Sequence, residues 1–211
     1  NFLKIWNKSA KRDKDILETL VEAIAQTINT KEYIGWVEKT PGTEFYLPII
    51  KKWWPDAKIL YLVRDPRQNF CSHKRYQKNK KRPIEISLSR FINRWEKSFS
   101  AIERYLDLNS EGLLVRYEDL IDDTHITMQK ISQFLGITFD PVLLKPTRFG
   151  IEWKGNASDG YEKKHVQKNP NNYSQYLSNN QIAVIELKLR NQLKALQYEV
   201  NVEYSYWQKL T

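Results

Sequence analysis

The residues 62–72, LVRDPRQNFCS, place two arginines, an aspartate, a proline and a serine directly behind an apolar run. Asp65 is a preferred helix N-cap and Pro66 a preferred first helical residue, so a strand should turn into a helix here. Seven helical steps return Ser72 to nearly the face of Asp65, roughly 10 Å along the axis. Arg64 and Ser72 could therefore bind one anion such as a phosphate. The spacing alone leaves open an Arg64–carboxylate pair and an ordinary surface serine.

Three other positions carry groups suited to the ligand edge of a sheet. Lys39 follows a predicted strand, where a lysine is either solvated or part of a site. Tyr117 is predicted to end a strand, where its ring either faces a base or packs on the sheet. The run Trp153, Lys154, Gly155 and Asn156 combines a cation, a conformationally free glycine and amide groups, which suits a loop around phosphate. A solvent-exposed loop is the alternative.

The elements that must position these groups follow from hydrophobic spacing. Residues 58–63 form the strongest predicted strand, a near-continuous apolar run typical of a strand buried in a parallel sheet. Shorter strands are predicted at residues 33–37 and 113–117. Helices are predicted at 13–30, 43–53, from Pro66 onward, and at 84–108, 124–135 and 178–197, with an irregular stretch at 145–176. This alternation predicts an α/β fold in which a central parallel sheet is flanked by helices, with the ligand beyond the carboxyl ends of the strands.

Composition narrows the possible ligands. The chain has 211 residues, consistent with one domain spanning 1–211, and a net charge of +9. That charge favours an anionic small ligand, a nucleic acid or an anionic surface. No acid occurs in residues 66–84, whose cations, Arg67 among them, are predicted to face outward and steer anions. One cysteine excludes an internal disulfide, no apolar stretch is long enough for a membrane span, and no residue cluster has metal-ligand spacing.

Four blocks occur in order: EKTP at 38–41, WPDAKILYLVRDPRQNFCS at 54–72, VRYEDL at 115–120 and WKGNAS at 153–158. Together they resemble the sulfotransferases that use 3′-phosphoadenosine 5′-phosphosulfate. The resemblance implies a P-loop-like three-layer architecture. It assigns the donor's 3′-phosphate to Arg64 and Ser72, the adenine to Tyr117, and closure over the donor to Trp153, Lys154, Gly155 and Asn156. It also assigns Lys39 to the reacting centre, where an ammonium could neutralise charge on the leaving group.

Two departures from the family pattern concern the sulfate end of the donor. Cytosolic members place a histidine where this chain has Pro41, and none of His73, His125 and His165 has a neighbour that marks it as a base. The family's Gly/Ser/Thr loop for the 5′-phosphosulfate should precede the strand at 33–37, but the first glycine is Gly35. We therefore expect that the sequence lacks the start of the natural protein or has lost this part of the site.

The function expected from the resemblance is transfer of a sulfuryl group to a hydroxyl, or secondarily an amine, of an acceptor that could be an anionic glycan. The product would be adenosine 3′,5′-bisphosphate. The location expected is the cytoplasm, or the Golgi lumen if an anchor precedes the sequence. Three alternatives remain: a non-catalytic nucleotide- or glycan-binding remnant, a P-loop-type kinase and a nucleic-acid-binding protein. No nucleic-acid-binding module is recognisable in the sequence, so we expect no nucleic-acid partner.

Overall fold

The computed structural model describes residues 13–28, 33–79, 86–108, 112–148, 151–152 and 173–202. The chain folds into two compact units, Asn1–Ala57 and Lys58–Thr211. The stretch 153–172 lies outside the described residues, so the structure does not test the roles of Trp153, Lys154, Gly155 and Asn156.

The first unit is helical. Helix α1, Asp13–Thr27, begins with acidic residues in its first turn, which suits the helix dipole. A 3₁₀ turn, Thr43–Tyr46, leads into α2, Leu47–Trp53. Gly42 precedes the 3₁₀ turn with a φ of 96°, a left-handed conformation that glycine adopts without a steric penalty. The predicted helix at 43–53 is confirmed, except that its first turn is 3₁₀.

The strand predicted at residues 33–37 is wrong. This segment has no regular secondary structure, and Ile34 is 97% exposed. A strand needs a neighbour that pairs with its backbone groups. None of the described residues forms a ladder with this segment. An apolar run predicted burial here, but burial also depends on a partner strand that local sequence cannot supply.

The second unit contains a parallel strand pair that defines its α/β character. Strands β1, Ile59–Val63, and β2, Gly112–Arg116, pair in parallel, with Val63 opposite Arg116. The connection between them runs through α3, Pro66–Asn79, and α4, Leu88–Leu108. The predicted α/β class is confirmed. The predicted burial of β1 on both faces is wrong, because Leu60 is 43% exposed and Leu62 is exposed as well.

The remaining elements complete this unit. After β2 come two helices, α5 and α6, a 3₁₀ turn, the antiparallel strands β3 and β4, a second 3₁₀ turn, and helices α7 and α8. Their bounds are Tyr117–Asp122, Thr124–Leu135, Pro141–Leu144, Thr147–Arg148, Ile151–Glu152, Tyr173–Gln175, Asn179–Lys188 and Arg190–Ala195. The predicted helix at 124–135 is confirmed. The one predicted at 178–197 is two helices that meet at Leu189.

The core of the second unit lies where α3, α4 and the C-terminal helices pack together. Apolar residues on one face of α4 are buried, and Trp95 stacks on Phe99 with ring centroids 5.3 Å apart. Phe70 from α3 and Ile185 and Leu189 from the C-terminal helices join the same cluster. Burial of these side chains from water drives the packing that fixes the strand ends. Val63, the last residue of β1, belongs to this cluster, so the packing fixes the end of the strand.

Candidate functional site

The turn from β1 into α3 has the predicted geometry. The Asp65 carboxylate accepts a hydrogen bond from the Arg67 backbone N–H at 2.8 Å, and the Asp65 carbonyl accepts from the Asn69 N–H at 2.8 Å. These are the bonds of a helix N-cap. Pro66, which has no N–H to leave unpaired, occupies the first helical position. The helix that aligns Asp65 with Ser72 is therefore present.

Arg64 and Tyr117 meet at the carboxyl ends of the two parallel strands. Because Val63 pairs with Arg116, the next residues along each chain leave the sheet side by side. The Arg64 guanidinium carbon lies 4.7 Å from the centroid of the Tyr117 ring. Such a distance is that of a cation–π contact, which orients the guanidinium without using its N–H donors. Two residues predicted separately are thus brought together.

The guanidinium of Arg64 retains unused hydrogen-bonding capacity. The side chain is half-buried, and its Nε is buried with no hydrogen-bond partner among the residues that the structure describes. A buried donor without a partner is costly and marks a position where a ligand acceptor would be stabilising. No carboxylate of the described residues forms an ion pair with Arg64, so the alternative of an Arg64–carboxylate pair is not what the structure shows there.

Several cations lie near Cys71 in α3. Cys71 is buried, and burial raises the pKa of its thiol, whereas the charges of Arg75, Arg64 and Lys74 act to lower it. Three cations therefore lie close enough to act on this thiol. Ser72, the next residue, is exposed on that helix. An exposed hydroxyl in a positive field suits the binding of an anion, although sharing of one phosphate by Arg64 and Ser72 stays a prediction.

The outward, steering role predicted for Arg67 is wrong. Arg67 is 3% exposed, and its guanidinium is shared between two buried carboxylates, Asp65 and Glu186. It also donates to the carbonyl of Glu199 at 2.8 Å and lies over the ring of Tyr173. A buried charge needs such partners to offset the loss of hydration. Arg67 therefore joins α3 to the C-terminal part of the unit instead of facing a ligand.

Tyr117 begins α5 and does not end β2 as predicted, because the strand stops at Arg116. The helical turn places the next residue, Glu118, towards the β1–α3 corner. One Glu118 oxygen accepts from the Asp65 backbone N–H at 3.1 Å, and the other accepts from the Tyr198 hydroxyl at 2.6 Å. The Arg116 guanidinium lies over the Tyr198 ring at 4.7 Å. Glu118 thus links both strand ends to the C-terminal segment.

A model of the sulfotransferase family matches residues 7–141 of the chain, which is more than half of its length. The chain belongs to the sulfotransferase family. Human sulfotransferase 2A1 is 32% identical over 116 residues, an alignment that covers 44% of this chain and 38% of the relative. The chain therefore spans well under half of that relative's length.

The chain resembles in fold the solved structure of a sulfotransferase domain from the curacin biosynthetic pathway. The two share 19% identity, with a TM-score of 0.57 over 86% of this chain and 68% of that domain. At this identity the similarity concerns the fold alone, and it agrees with the α/β class.

The other candidate residues, Lys39 and the histidines, lie away from the Arg64–Tyr117 contact in sequence. Lys39 belongs to the first unit and is exposed in a segment without regular structure, shortly before a turn in which the Thr43 hydroxyl donates to the Thr40 carbonyl at 2.8 Å. His73 lies near Phe91, and burial lowers the pKa of its imidazole. His125 contacts the Phe139 ring. Neither contact marks a general base.

Two features are absent from the residues that the structure describes. No helix there combines the length and apolar character needed to span a bilayer. No three His, Cys, Asp or Glu side chains there are grouped so as to hold a metal ion.

Sequence reasoning missed Tyr198 and Glu186 as contributors to this site. Glu186 had a signal: it interrupts an apolar helical face formed by Ala183, Leu189 and Leu193, all buried, so its carboxylate needed a buried cation. No local signal marked Tyr198, because its partner Glu118 lies 80 residues earlier in the chain. A contact of that sequence separation leaves no local pattern.

The stability of the protein should fall in alkaline solution because of Tyr198. Burial raises the pKa of the Tyr198 phenol well above its usual value near 10, and the hydrogen bond to Glu118 raises it further. The folded state therefore keeps this proton while the unfolded state loses it as the pH rises past about 10. Below that pH the contribution is complete, and above it the free energy of unfolding decreases.

Urea unfolding of wild type and Tyr198→Phe between pH 8 and pH 11 measures this effect. The difference in unfolding free energy between the two proteins should be constant up to about pH 10 and then shrink. A difference that stays constant through pH 11 would contradict the raised pKa of Tyr198 in the folded state.

Proposed function

We propose that this protein transfers the sulfuryl group of 3′-phosphoadenosine 5′-phosphosulfate to a hydroxyl of an acceptor. The observation that supports this most directly is the half-buried Arg64 guanidinium, stacked on Tyr117 with an unpaired Nε, at the carboxyl ends of the parallel strands. Membership of the sulfotransferase family gives the reaction class. The choice of this donor and of a hydroxyl acceptor is the proposal.

The residues present fit the 3′-phosphate of such a donor. A guanidinium forms charge-assisted hydrogen bonds with phosphate, and each is worth about 1.5–3 kcal/mol. Arg64 has donors to spare, and Ser72 on α3 can add a hydroxyl. Arg67, by contrast, is fully engaged by Asp65 and Glu186. We therefore assign the phosphate to Arg64, whereas the pairing of Arg67 stabilises the fold.

The remaining roles in the proposal follow the family resemblance. Tyr117 offers an aromatic face next to Arg64, which suits an adenine ring. Lys39 would contribute a compact positive charge to the leaving group, and residues Trp153, Lys154, Gly155 and Asn156 would close over the donor. When bound, the donor would supply an activated sulfuryl group and leave as adenosine 3′,5′-bisphosphate. The acceptor hydroxyl gives up its proton to a base that we do not assign.

Two measurements on the wild type test the proposal. Calorimetric titration should show tighter binding of adenosine 3′,5′-bisphosphate than of adenosine 5′-monophosphate. Transfer of labelled sulfate from the donor should be detected with a panel of acceptors: anionic and neutral glycans, a lipid alcohol, a tyrosine peptide and a small phenol. Lys39→Ala should leave the affinity for the bisphosphate unchanged and lower kcat for transfer.

Three results would count against parts of the proposal. Equal affinities for the two nucleotides would refute the donor assignment. Selective binding with no transfer to any acceptor would favour the non-catalytic, nucleotide-binding alternative. A Lys39→Ala variant with unchanged kcat would remove Lys39 from the reacting centre.

A further inference from the structure

We infer that Glu118 and Tyr198 are positioning residues that hold Arg64 and Tyr117 as one unit for recognition of a 3′-phosphorylated nucleotide. The inference rests on the proposed function and adds two residues to the site. Glu118 and Tyr198 would not contact the donor. They would act through Arg64 and Tyr117, which would.

The first step is the bond between the two strand ends. Asp65 directly follows Arg64, and Glu118 directly follows Tyr117. The Asp65 backbone N–H donates to one Glu118 oxygen at 3.1 Å. This hydrogen bond joins the residue after Arg64 to the residue after Tyr117. It therefore fixes the backbone next to both side chains. The fixed backbone holds the Arg64 guanidinium and the Tyr117 ring in their cation–π contact at 4.7 Å.

The second step is the orientation of the Glu118 carboxylate. Its other oxygen accepts from the Tyr198 hydroxyl at 2.6 Å, and Tyr198 is buried beneath the guanidinium of Arg116. Two neutral donors thus engage the two oxygens of Glu118. A carboxylate oriented in this way is satisfied without Arg64, which leaves the Arg64 guanidinium free to meet a phosphate.

The third step is the anchoring of Tyr198 itself. The segment that follows Tyr198 is fixed to the helices behind the site: Glu186 accepts from the backbone N–H groups of Asn201 and Val202 at 2.8 and 2.9 Å. Arg67 donates to the Glu199 carbonyl and Arg190 to the Val202 carbonyl. Because this segment is held at several points, the Tyr198 hydroxyl has a defined position from which it can orient Glu118.

The test compares selectivity with stability. Selectivity is the ratio of the dissociation constants of adenosine 5′-monophosphate and adenosine 3′,5′-bisphosphate, measured by calorimetry well below the melting temperature. Glu118→Ala should lower this ratio about tenfold, as expected when a hydrogen bond that orients a charged group is lost. Tyr198→Phe, which keeps the ring and removes only the hydroxyl, should lower it about threefold. Glu118→Gln should restore most of the selectivity, because an amide oxygen can still accept from Asp65.

A double-mutant cycle identifies the residue through which Glu118 acts. In an Arg64→Lys background, which keeps the charge and part of the selectivity but lacks the planar fork, Glu118→Ala should cause a smaller loss than in the wild type, because the group that it orients is gone. The controls are Glu103→Ala, an exposed carboxylate of α4, and Tyr176→Phe, an exposed tyrosine. Both should keep wild-type selectivity.

The results separate this inference from the proposed function. If the wild type does not prefer the bisphosphate, the proposed function fails. If the wild type does, but Glu118→Ala and Tyr198→Phe lower only the melting temperature and keep the selectivity, the two residues are structural and the inference is overturned. Equal losses from Glu118→Ala in the wild type and in Arg64→Lys would also overturn it.

Discussion

Arg64→Ala should abolish the preference for adenosine 3′,5′-bisphosphate over adenosine 5′-monophosphate. Each charge-assisted hydrogen bond from a guanidinium to phosphate is worth about 1.5–3 kcal/mol, so losing one lowers affinity by roughly 10- to 150-fold, and losing two by more. The effect should be confined to the 3′-phosphate, since Arg64 lies beside the Tyr117 ring and has no other assigned partner for the nucleotide. Affinity for the monophosphate should change little.

The measurement is calorimetric titration of both nucleotides into wild type, Arg64→Ala and Arg64→Lys. The lysine variant keeps the charge but lacks the planar fork, so its selectivity should be intermediate. Arg104→Ala, which removes an exposed arginine of α4, is the matched control for net charge and should behave as wild type. If Arg64→Ala keeps its selectivity, the phosphate is bound elsewhere.

Arg67→Met should destabilise the fold by about 3–5 kcal/mol, the range observed when one partner of a buried ion pair is removed. Methionine fills much of the same volume, but Asp65 and the fully buried Glu186 would each lose their cation. The carbonyl of Glu199 would lose its donor as well. Chemical denaturation monitored by tryptophan fluorescence measures the loss.

Two further variants identify the origin of that loss. Arg104→Met, at an exposed position, should change stability by less than about 0.5 kcal/mol. Glu186→Gln combined with Arg67→Met should recover part of the loss, because an amide carries no uncompensated charge and can still accept from the backbone of Asn201. If Arg67→Met is as stable as the wild type, the buried network contributes little, and its role lies elsewhere.

The local sequence determined the turn at the site. Asp65 and Pro66 predict a helix start from short-range rules alone, and the structure contains that N-cap. The apolar spacing of α4 likewise predicted its buried face, because helical periodicity is a property of neighbouring residues. The four sequence blocks pointed to the sulfotransferase family, to which the chain belongs.

The tertiary structure decided which of the two arginines is paired with carboxylates. Arg64 and Arg67 stand three positions apart in one short stretch. The sequence favours Arg64 for the ligand, which stays a prediction, and it wrongly places Arg67 on the outside. Their difference depends on Glu186, 119 residues after Arg67, and on the stacking of Arg64 against Tyr117 from the neighbouring strand. The same reason applies to residues 33–37, whose apolar pattern predicts a strand but cannot supply its partner. Local chemistry sets the shape of a turn, whereas burial and charge pairing depend on residues that only the folded chain brings together.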